Sequence, residues 1–546
     1  MTDRVLTVGI DGGEMSLINK WIDEGELPNI KKIKENGASG PLRSTIPPIT
    51  GAAWSSFQTG TNPGKHGAFN WFKRSEGEYN AEPVTALDIQ EPTLWRILNK
   101  FKKKVGLIGV PVTTPPEQVE NFMVPGLLTT KNAQTQSYPE DFINHVKEIV
   151  PDFKFSPKEW TRGYSVEDWV DEMVEDIEKK TKLTKQLMME QDWHYFMVHF
   201  METDQVQHYL WHELEQPPYH IKRIYKAIDR AIGELKEFLD EEDTLLIMSD
   251  HGFGDLKYNF HIDTWLLKEG YITLKKNFIT QFKKLFFKLG FTKEALLPIG
   301  EYIYPPLRKL GIVETAVDLA SNPMLDWLFI SSNNVNWKKS LAYSHSEIGH
   351  IFLNIKGRDP EGVLEPAEAE QVREELIEKL RNFENPFTGK KITTEIYKGE
   401  EIYHGNMAEN APDIVFIPDD MSVLGKGAYQ FLSNKKVSES QNQTGHHRMD
   451  GIFFAEGPDI QKGSKVSGAH IMDIAPTVLY LLDLPILNSM DGKILRDVIK
   501  ENFSENIDEM YVDKADIGLE KNLRDNLFKN DIQDKKDRLK GLGYVS

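Results

Sequence analysis

No cysteine occurs among the 546 residues. Disulfides, thiolate metal sites, iron–sulfur clusters and a cysteine nucleophile are therefore excluded. Any metal must be held by His, Asp, Glu or hydroxyl oxygens. Positive charge is also scarce: 65 Lys and Arg stand against 84 Asp and Glu, a formal net charge of −19. That balance argues against general binding to nucleic acid or to anionic membranes. It still accommodates a local basic pocket for a phosphorylated small molecule. Long apolar runs are missing too. The longest, around Ile471–Leu484, is broken by Asp473, Pro476 and Asp483, so no membrane span of ~20 residues is expected. The N-terminal Met1–Gly13 stretch has no basic segment followed by a long apolar run. No signal peptide is expected, and the default location is the cytoplasm.

What remains is an ordinary globular composition, 40% hydrophobic and 27% charged, in a chain long enough for several domains or one large α/β domain with insertions. Short apolar runs at Val5–Ile10, Val105–Val110, Tyr195–Phe200 and Thr244–Met248 read as buried strands. Between them, Gly51–Gly60, Val166–Met188 and Tyr219–Leu239 read as helices. This alternation predicts a mostly parallel sheet covered on both faces. The expected organisation is a first part of the core over 1–270, with a cap segment at about 115–165. A helical insertion or lid follows over 271–337. The core then resumes over 338–500, with strands at 351–355, 414–417 and 452–455 and helices at 366–383 and 470–482. A charged tail covers 501–546. The 271–337 segment is rich in Phe, Lys and Leu. Lys-rich amphipathic helices can lie on membranes, but the overall charge and Pro305-Pro306 weigh against that reading here.

Three aspartates follow apolar runs: Asp11 after VLTVGI, Asp204 after YFMVHFMET and Asp250 after TLLIMS. In open α/β sheets ligands bind at the carboxyl ends of the strands. A carboxylate placed there is costly unless paired or bound to a cation. Any one of them reads equally well as a helix N-cap; three at equivalent ends are harder to dismiss. His208 lies one helical turn from Asp204, His251 adjoins Asp250, and His447 shortly precedes the 452–455 strand. Together these side chains supply enough N and O ligands for two cations. Thr50 stands at the start of a small-residue helix. A hydroxyl there is ordinarily a cap, yet the same position offers amides and positive dipole to a phosphate. Beside a cation the hydroxyl becomes a nucleophile. Two cations about 3.5–4 Å apart would hold the attacking and leaving oxygens of an in-line displacement.

These residues lie in motifs that together resemble the alkaline phosphatase superfamily, in its type I phosphodiesterase and nucleotide pyrophosphatase branch. That branch includes archaeal and bacterial proteins called phosphohydrolases or phosphomutases. The motifs are VGIDGG at 8–13, TIPPITGAAWSSFQTGTNPGKHG at 45–67, ETDQVQH at 202–208, SDHGFG at 249–254, GHHRMDGIFFAEGP at 445–458, and DIAPTVLYLLDLP with MDGK at 473–493. The resemblance implies a three-layer αβα fold and two divalent metal ions. One ion would be held by Asp11, Thr50, Asp250 and His251, the other by Asp204, His208 and His447. His447 is preferred to His446 because it stands directly before Arg448 and the strand opening at Gly451-Ile452. Zinc suits such ligands, and manganese and magnesium are compatible with them.

The resemblance also implies two displacements through a phosphothreonine at Thr50, while the leaving group stays open among a nucleotide, a nucleotide sugar, a lipid head group and a simple monoester. Asn70, Lys65 and His66 are candidate substrate contacts. Asn70 follows His66-Gly67 one residue closer than in the nucleotide pyrophosphatases. A phosphomutase of the cofactor-independent phosphoglycerate mutase type is the alternative, although that family uses serine and a larger inserted domain placed elsewhere. A sulfatase is disfavoured by the lack of cysteine and by Thr50-Gly51-Ala52-Ala53-Trp54. A non-catalytic metal- or phosphate-binding protein is disfavoured because all six Asp and His positions are filled.

Overall fold

The computed structural model describes residues 2–295, 329–500 and 510–519, apart from residues 76, 80, 130–135, 159, 161–163, 218, 346, 428–430 and 442. Its centre is an eight-stranded sheet. From edge to edge the strands are Ala469–His470, Ala38–Arg43, Asp450–Glu456, Thr244–Met248, Val5–Ile10, Tyr195–Phe200, Val105–Ile108 and Phe122–Val124. Val5–Ile10 pairs in parallel with both of its neighbours. Asp450–Glu456 is the one reversed strand, antiparallel to both of the strands it lies between.

The apolar runs are continuous because both faces of the sheet are covered. Along Val5–Ile10, Leu6, Val8 and Ile10 face one layer. There they meet Trp21, Ile30, Ile177, Tyr225 and Ile228 from the helices Met15–Asp23, Pro28–Asn36, Val166–Glu190 and His220–Lys236. Val5, with Met197, Leu246 and Met248 of the neighbouring strands, faces the other layer. Trp54, Phe57, Leu98, Val478 and Leu479 cover it from the helices Thr50–Thr59, Leu94–Lys100 and Ile474–Leu481. Each such side chain contributes about 1.5–3 kcal/mol by leaving water. The predicted three-layer αβα architecture with a mostly parallel sheet is the one observed.

The resumed pattern after residue 338 divides into two. Asp450–Glu456 joins the central sheet, but His350–Leu353 and Ile414–Pro418 do not. They lie in a separate four-stranded antiparallel sheet with Ala342–Tyr343 and Thr393–Lys398. This sheet shares a second core with the helices Ile262–Glu269 and Pro366–Asn382. An apolar run does not encode which sheet it enters, and that is why the two were indistinguishable in the sequence. The described part of 115–165 is built into the main core rather than over it: Phe122–Val124 is an edge strand, and helix Phe142–Ile149 packs Ile143 and Val146 on the sheet. Of the expected helical insertion, Phe278–Lys288 is a helix, and 296–328 lies outside the described residues. Of the expected tail, 510–519 is described, with Tyr511–Val512 pairing with Ile486–Leu487; 501–509 and 520–546 lie outside. No helix among the described residues is long and apolar enough to cross a membrane.

Candidate metal centre

Strand register places the acidic residues together. Ile10 pairs with Phe200 and Gly9 with Met248. The residues that follow each strand, Asp11, Met201–Asp204 and Ser249–Asp250, therefore emerge side by side at the carboxyl edge. Gly12 turns the chain away with φ of +65°, and a Cβ there would lie 2.9 Å from the Phe253 ring. Asp204 and His208 come from helix Glu202–Leu210, one turn apart. His447 arrives from outside the sheet. It sits on a two-stranded ribbon, Gly445–Arg448 against Gly252–Asp255, paired with Phe253. The His447 and His251 rings stack with centroids 3.6 Å apart.

All seven predicted positions meet in one buried cluster. Asp11, Asp250 and His251 form one group able to hold a metal ion. His251 Nε2 lies 3.2 Å from Asp250 Oδ2, 3.6 Å from Asp11 Oδ1 and 3.2 Å from Thr50 Oγ1. Beside it, Asp204 Oδ1 lies 3.3 Å from both His208 Nε2 and His447 Nε2, which are 3.2 Å from each other. Asp204, His251 and His447 also group together, so the two sets adjoin.

The donors are arranged for a cation. His251 Nδ1 donates to the Gly252 carbonyl (3.1 Å), His208 Nδ1 to Gly445 (3.0 Å) and His447 Nδ1 to Pro48 (2.8 Å). A carbonyl can only accept, so each ring carries its proton on Nδ1 and turns the Nε2 lone pair inward. Asp11 Oδ1 and Asp250 Oδ2 accept no hydrogen bond although both residues are fully buried. Burial, followed by repulsion from Asp204, raises the Asp11 carboxyl well above its ordinary range. Burial, then Asp11 and Asp204, do the same to Asp250. Burial works against the Asp204 charge as well, but His208 and His447 hold that carboxyl well below the usual range. Burial lowers His251 and His447. Three carboxylates converging with inward imidazole lone pairs fit divalent cations, which would remove that repulsion.

Thr50 opens helix Thr50–Thr59, with Ile49 at the N-cap and no side-chain cap bond. Its hydroxyl does not cap the helix; it points to His251. Gly51 follows, and a Cβ there would lie 3.2 Å from the Asn70 carbonyl, so small residues let this turn sit close to its neighbours. The three predicted substrate contacts are already engaged within the chain. Lys65 Nζ donates to Asp491 Oδ1 (2.6 Å) and the Ser489 carbonyl (2.8 Å). His66 Nδ1 accepts from the Ala68 amide, which leaves Nε2–H to donate to Ser56 Oγ at 2.9 Å. Asn70 accepts from the Trp71 amide and donates to the Glu347 carbonyl.

Several neighbours escaped sequence reasoning. Asp11 Oδ2 is fixed by Trp54 Nε1 and His199 Nε2, each at 3.0 Å, and His199 Nδ1 lies 3.1 Å from the Gly109 carbonyl. The signal for His199 was present, as a lone imidazole inside the apolar run YFMVHF. Lys426 Nζ pairs with the Glu347 carboxylate at 3.1 Å, and the backbone carbonyl of Glu347 accepts from Asn70. His446 is buried beside His208 and His447, and among the described residues neither of its ring nitrogens has a hydrogen-bond partner.

Residues 5–450 match the family model described as type I phosphodiesterase / nucleotide pyrophosphatase. No curated protein matches the chain. Among solved structures, human ectonucleotide pyrophosphatase/phosphodiesterase 5 aligns at 14% identity, covering 91% of this chain and 100% of that one, with a TM-score of 0.47. Its murine counterpart, an inactive variant in complex with AMP, aligns at 15% identity with the same coverage and a TM-score of 0.47. Phosphonoacetate hydrolase from Sinorhizobium meliloti 1021, in complex with phosphonoformate, aligns at 13% identity over 88% of this chain and 96% of that one, with a TM-score of 0.53. This last likeness supports the shared fold. The family match spans both the carboxyl edge of the sheet and the ribbon bearing His447, and on that ground the chain belongs to the type I phosphodiesterase / nucleotide pyrophosphatase family of the alkaline phosphatase superfamily, hydrolases acting on phosphoric ester bonds.

Proposed function

We propose that this protein hydrolyses phosphodiester or pyrophosphate bonds of a phosphorylated small molecule, with Thr50 as nucleophile and two divalent cations as cofactors. Asp11, Thr50, Asp250 and His251 would hold one cation and Asp204, His208 and His447 the other; zinc suits this donor set, and manganese and magnesium are compatible with it. When bound, the cations supply Lewis acidity to the phosphoryl oxygens and favour the ionised threonine. The observation that carries the reading is the Thr50 hydroxyl, which opens a buried helix, caps nothing and faces His251 at 3.2 Å.

In the first displacement Thr50 Oγ1 forms a bond to phosphorus as the bond to the leaving oxygen breaks. In the second, a water oxygen attacks phosphorus and the Thr50–phosphorus bond breaks, releasing phosphate or phosphomonoester. The open amides of the first helical turn stabilise charge on the phosphoryl oxygens. Asn70, seated against that turn, is assigned as the substrate contact. Lys65 and His66, tied to Asp491 and Ser56, are assigned to support the loop that carries it. A nucleotide accords with the family description, and a nucleotide sugar or lipid head group would offer the same kind of phosphoric ester linkage.

A hydrolysis panel tests this. The purified protein is loaded in turn with zinc, manganese or magnesium and offered p-nitrophenyl phosphate, bis-p-nitrophenyl phosphate and a dinucleotide. Turnover of the diester or dinucleotide exceeding that of the monoester, and lost on chelation, is expected. Absence of turnover with all three metals would sink the reading.

A further inference from the structure

The helix Phe278–Lys288 turns its broader apolar side away from the described residues it packs on. Against the rest of the chain it buries Thr280, Lys283 and Phe287. Phe287 meets Phe431 edge-on, and Lys283 Nζ donates to Asn334 Oδ1. At about 100° per residue these three positions occupy a narrow arc. The opposite, wider arc runs from Leu285 through Phe278 and Phe282 to Ile279, and Leu289 and Phe291 extend it past the C-terminus. Phe278 is 85% exposed, Leu289 65%, Ile279 64% and Leu285 54%. A helix on a water-facing surface ordinarily presents its polar side outward, so packing against the described residues gives no account of this orientation.

The charge of the segment is the second observation. Between Lys275 and Lys293 there are six lysines and no acidic residue, in a chain of net charge −19. Lys275, Lys276 and Lys288 are exposed, and Lys284 flanks the apolar arc half-buried. An exposed Phe/Leu/Ile arc with lysines at its margin is the composition that seats a helix in the plane of a bilayer interface. Each lysine near an anionic surface adds about fivefold to the partition coefficient. A second copy of this chain would bring its own apolar arc, but with it the same local positive charge, and so offers no complement.

We propose that Phe278–Phe291 is a docking element for anionic lipid bilayers, with the apolar arc immersed and the lysines against the head groups. This overturns, for this helix alone, the reading of the overall charge as adverse to anionic membranes. The element is joined to the chain that leads to the metal centre: the Glu294 amide donates to the Leu432 carbonyl (3.0 Å), and the Glu294 carboxylate accepts from Ser438 Oγ, nine residues before His447. The inference does not depend on the phosphodiesterase reading.

Co-sedimentation of the full-length protein with vesicles tests it. Binding is expected to vesicles of phosphatidylcholine mixed with phosphatidylglycerol, weaker binding to phosphatidylcholine alone, and a fall with added salt. Phe282→Glu and Leu285→Glu should each lower partition about tenfold without moving the thermal midpoint. Lys284→Glu with Lys288→Glu should weaken binding only to the anionic vesicles. Phe387→Ser, an exposed phenylalanine elsewhere, should change nothing. Three results would overturn the proposal: no binding of the wild type to anionic vesicles; a lowered midpoint in the Glu variants with vesicle binding unchanged, meaning that the arc is covered by the chain itself; or a self-associated protein in free solution that the Glu variants turn monomeric.

Discussion

Thr50 Oγ1 and His251 Nε2 lie 3.2 Å apart although 201 residues separate them in the chain. Because His251 Nδ1 donates to the Gly252 carbonyl, its Nε2 is an acceptor, and the threonine hydroxyl donates to it. The proposed nucleophile thus stands beside a proposed ligand of the cluster, and the Nε2 lone pair it meets is the one that a cation would take. Thr50→Ala should lower kcat by on the order of 10⁴ or more, as losing a covalent nucleophile does, while bound metal measured by elemental analysis stays near the wild-type content through the remaining ligands. Thr50→Ser keeps the hydroxyl and should retain measurable turnover. Unchanged activity in the alanine variant would remove Thr50 from the reaction.

Asp11 illustrates support from behind. Trp54 and His199 both hold its Oδ2, leaving Oδ1 directed at His251. Both act on the cluster through the Asp11 carboxylate, so both are positioning residues. His199→Leu should weaken metal affinity by about 10–100-fold, read by competition with a chromogenic chelator. Activity should recover as metal is added to saturation. A loss of kcat that persists at saturating metal would show that His199 acts on the reaction in some other way.

How much of this was legible in the sequence depends on what each element had to encode. Val5–Ile10, Tyr195–Phe200 and Thr244–Met248 were readable to the residue because a strand buried on both faces must be apolar throughout. Ala38–Arg43, in the same sheet, was not seen: ASGPLR has no apolar run, and its Gly40 fits where a Cβ would press to 2.3 Å from the Val466 carbonyl. The metal cluster was legible because its ligands follow strand ends and sit in spaced motifs. The supports of Asp11 were not, since Trp54 and His199 read as core residues until the register of the strands is known. His447 was preferred to His446 for its place before Arg448, and in the structure it is the Nε2 of His447 that lies 3.3 Å from Asp204 Oδ1.

Acid should destabilise the fold through histidines outside the cluster. Burial lowers His66, His345 and His350 from 6.5 to about 3. Each therefore stays neutral in the folded chain where the unfolded chain is already protonated. Their stability contribution is complete above pH 6.5 and is lost progressively as pH falls toward about 3. Among the described residues neither ring nitrogen of His345 has a hydrogen-bond partner, and the ring stacks on Phe352 at 4.4 Å, so His345→Phe removes the titration with little loss of packing. Thermal midpoints of the two proteins should lie close at pH 7.5 and separate as pH is lowered from 6.5 to 4, with the variant the higher. Parallel curves would show that His345 does not contribute to the acid sensitivity.

Asp491, in the MDGK motif, clamps the loop behind the Thr50 helix. Its Oδ2 accepts from the Asn62 amide (2.9 Å) and from Asn62 Nδ2 (2.8 Å), and its Oδ1 accepts from Lys65 Nζ (2.6 Å). Partial burial opposes its charge, but Lys65 and the Asn62 donors outweigh this and bring the carboxyl down to about 2. The clamp thus contributes stability above the ordinary carboxylate range and loses it as pH falls toward 2. Asp491→Ala leaves Lys65 and the Asn62 amide without this acceptor. It should cost about 1–3 kcal/mol, read by denaturant unfolding at pH 7. Asp491→Asn keeps an acceptor but loses the charge and should cost less. Because the carbonyl of Gly60, which caps the helix at φ +66°, accepts from the amides of Asp491 and Gly492 (2.8 and 3.0 Å), the helix end should loosen with the clamp. Faster amide exchange at Gly60–Lys65 in the alanine variant is the expected signature, and exchange unchanged there would confine Asp491 to a surface contact.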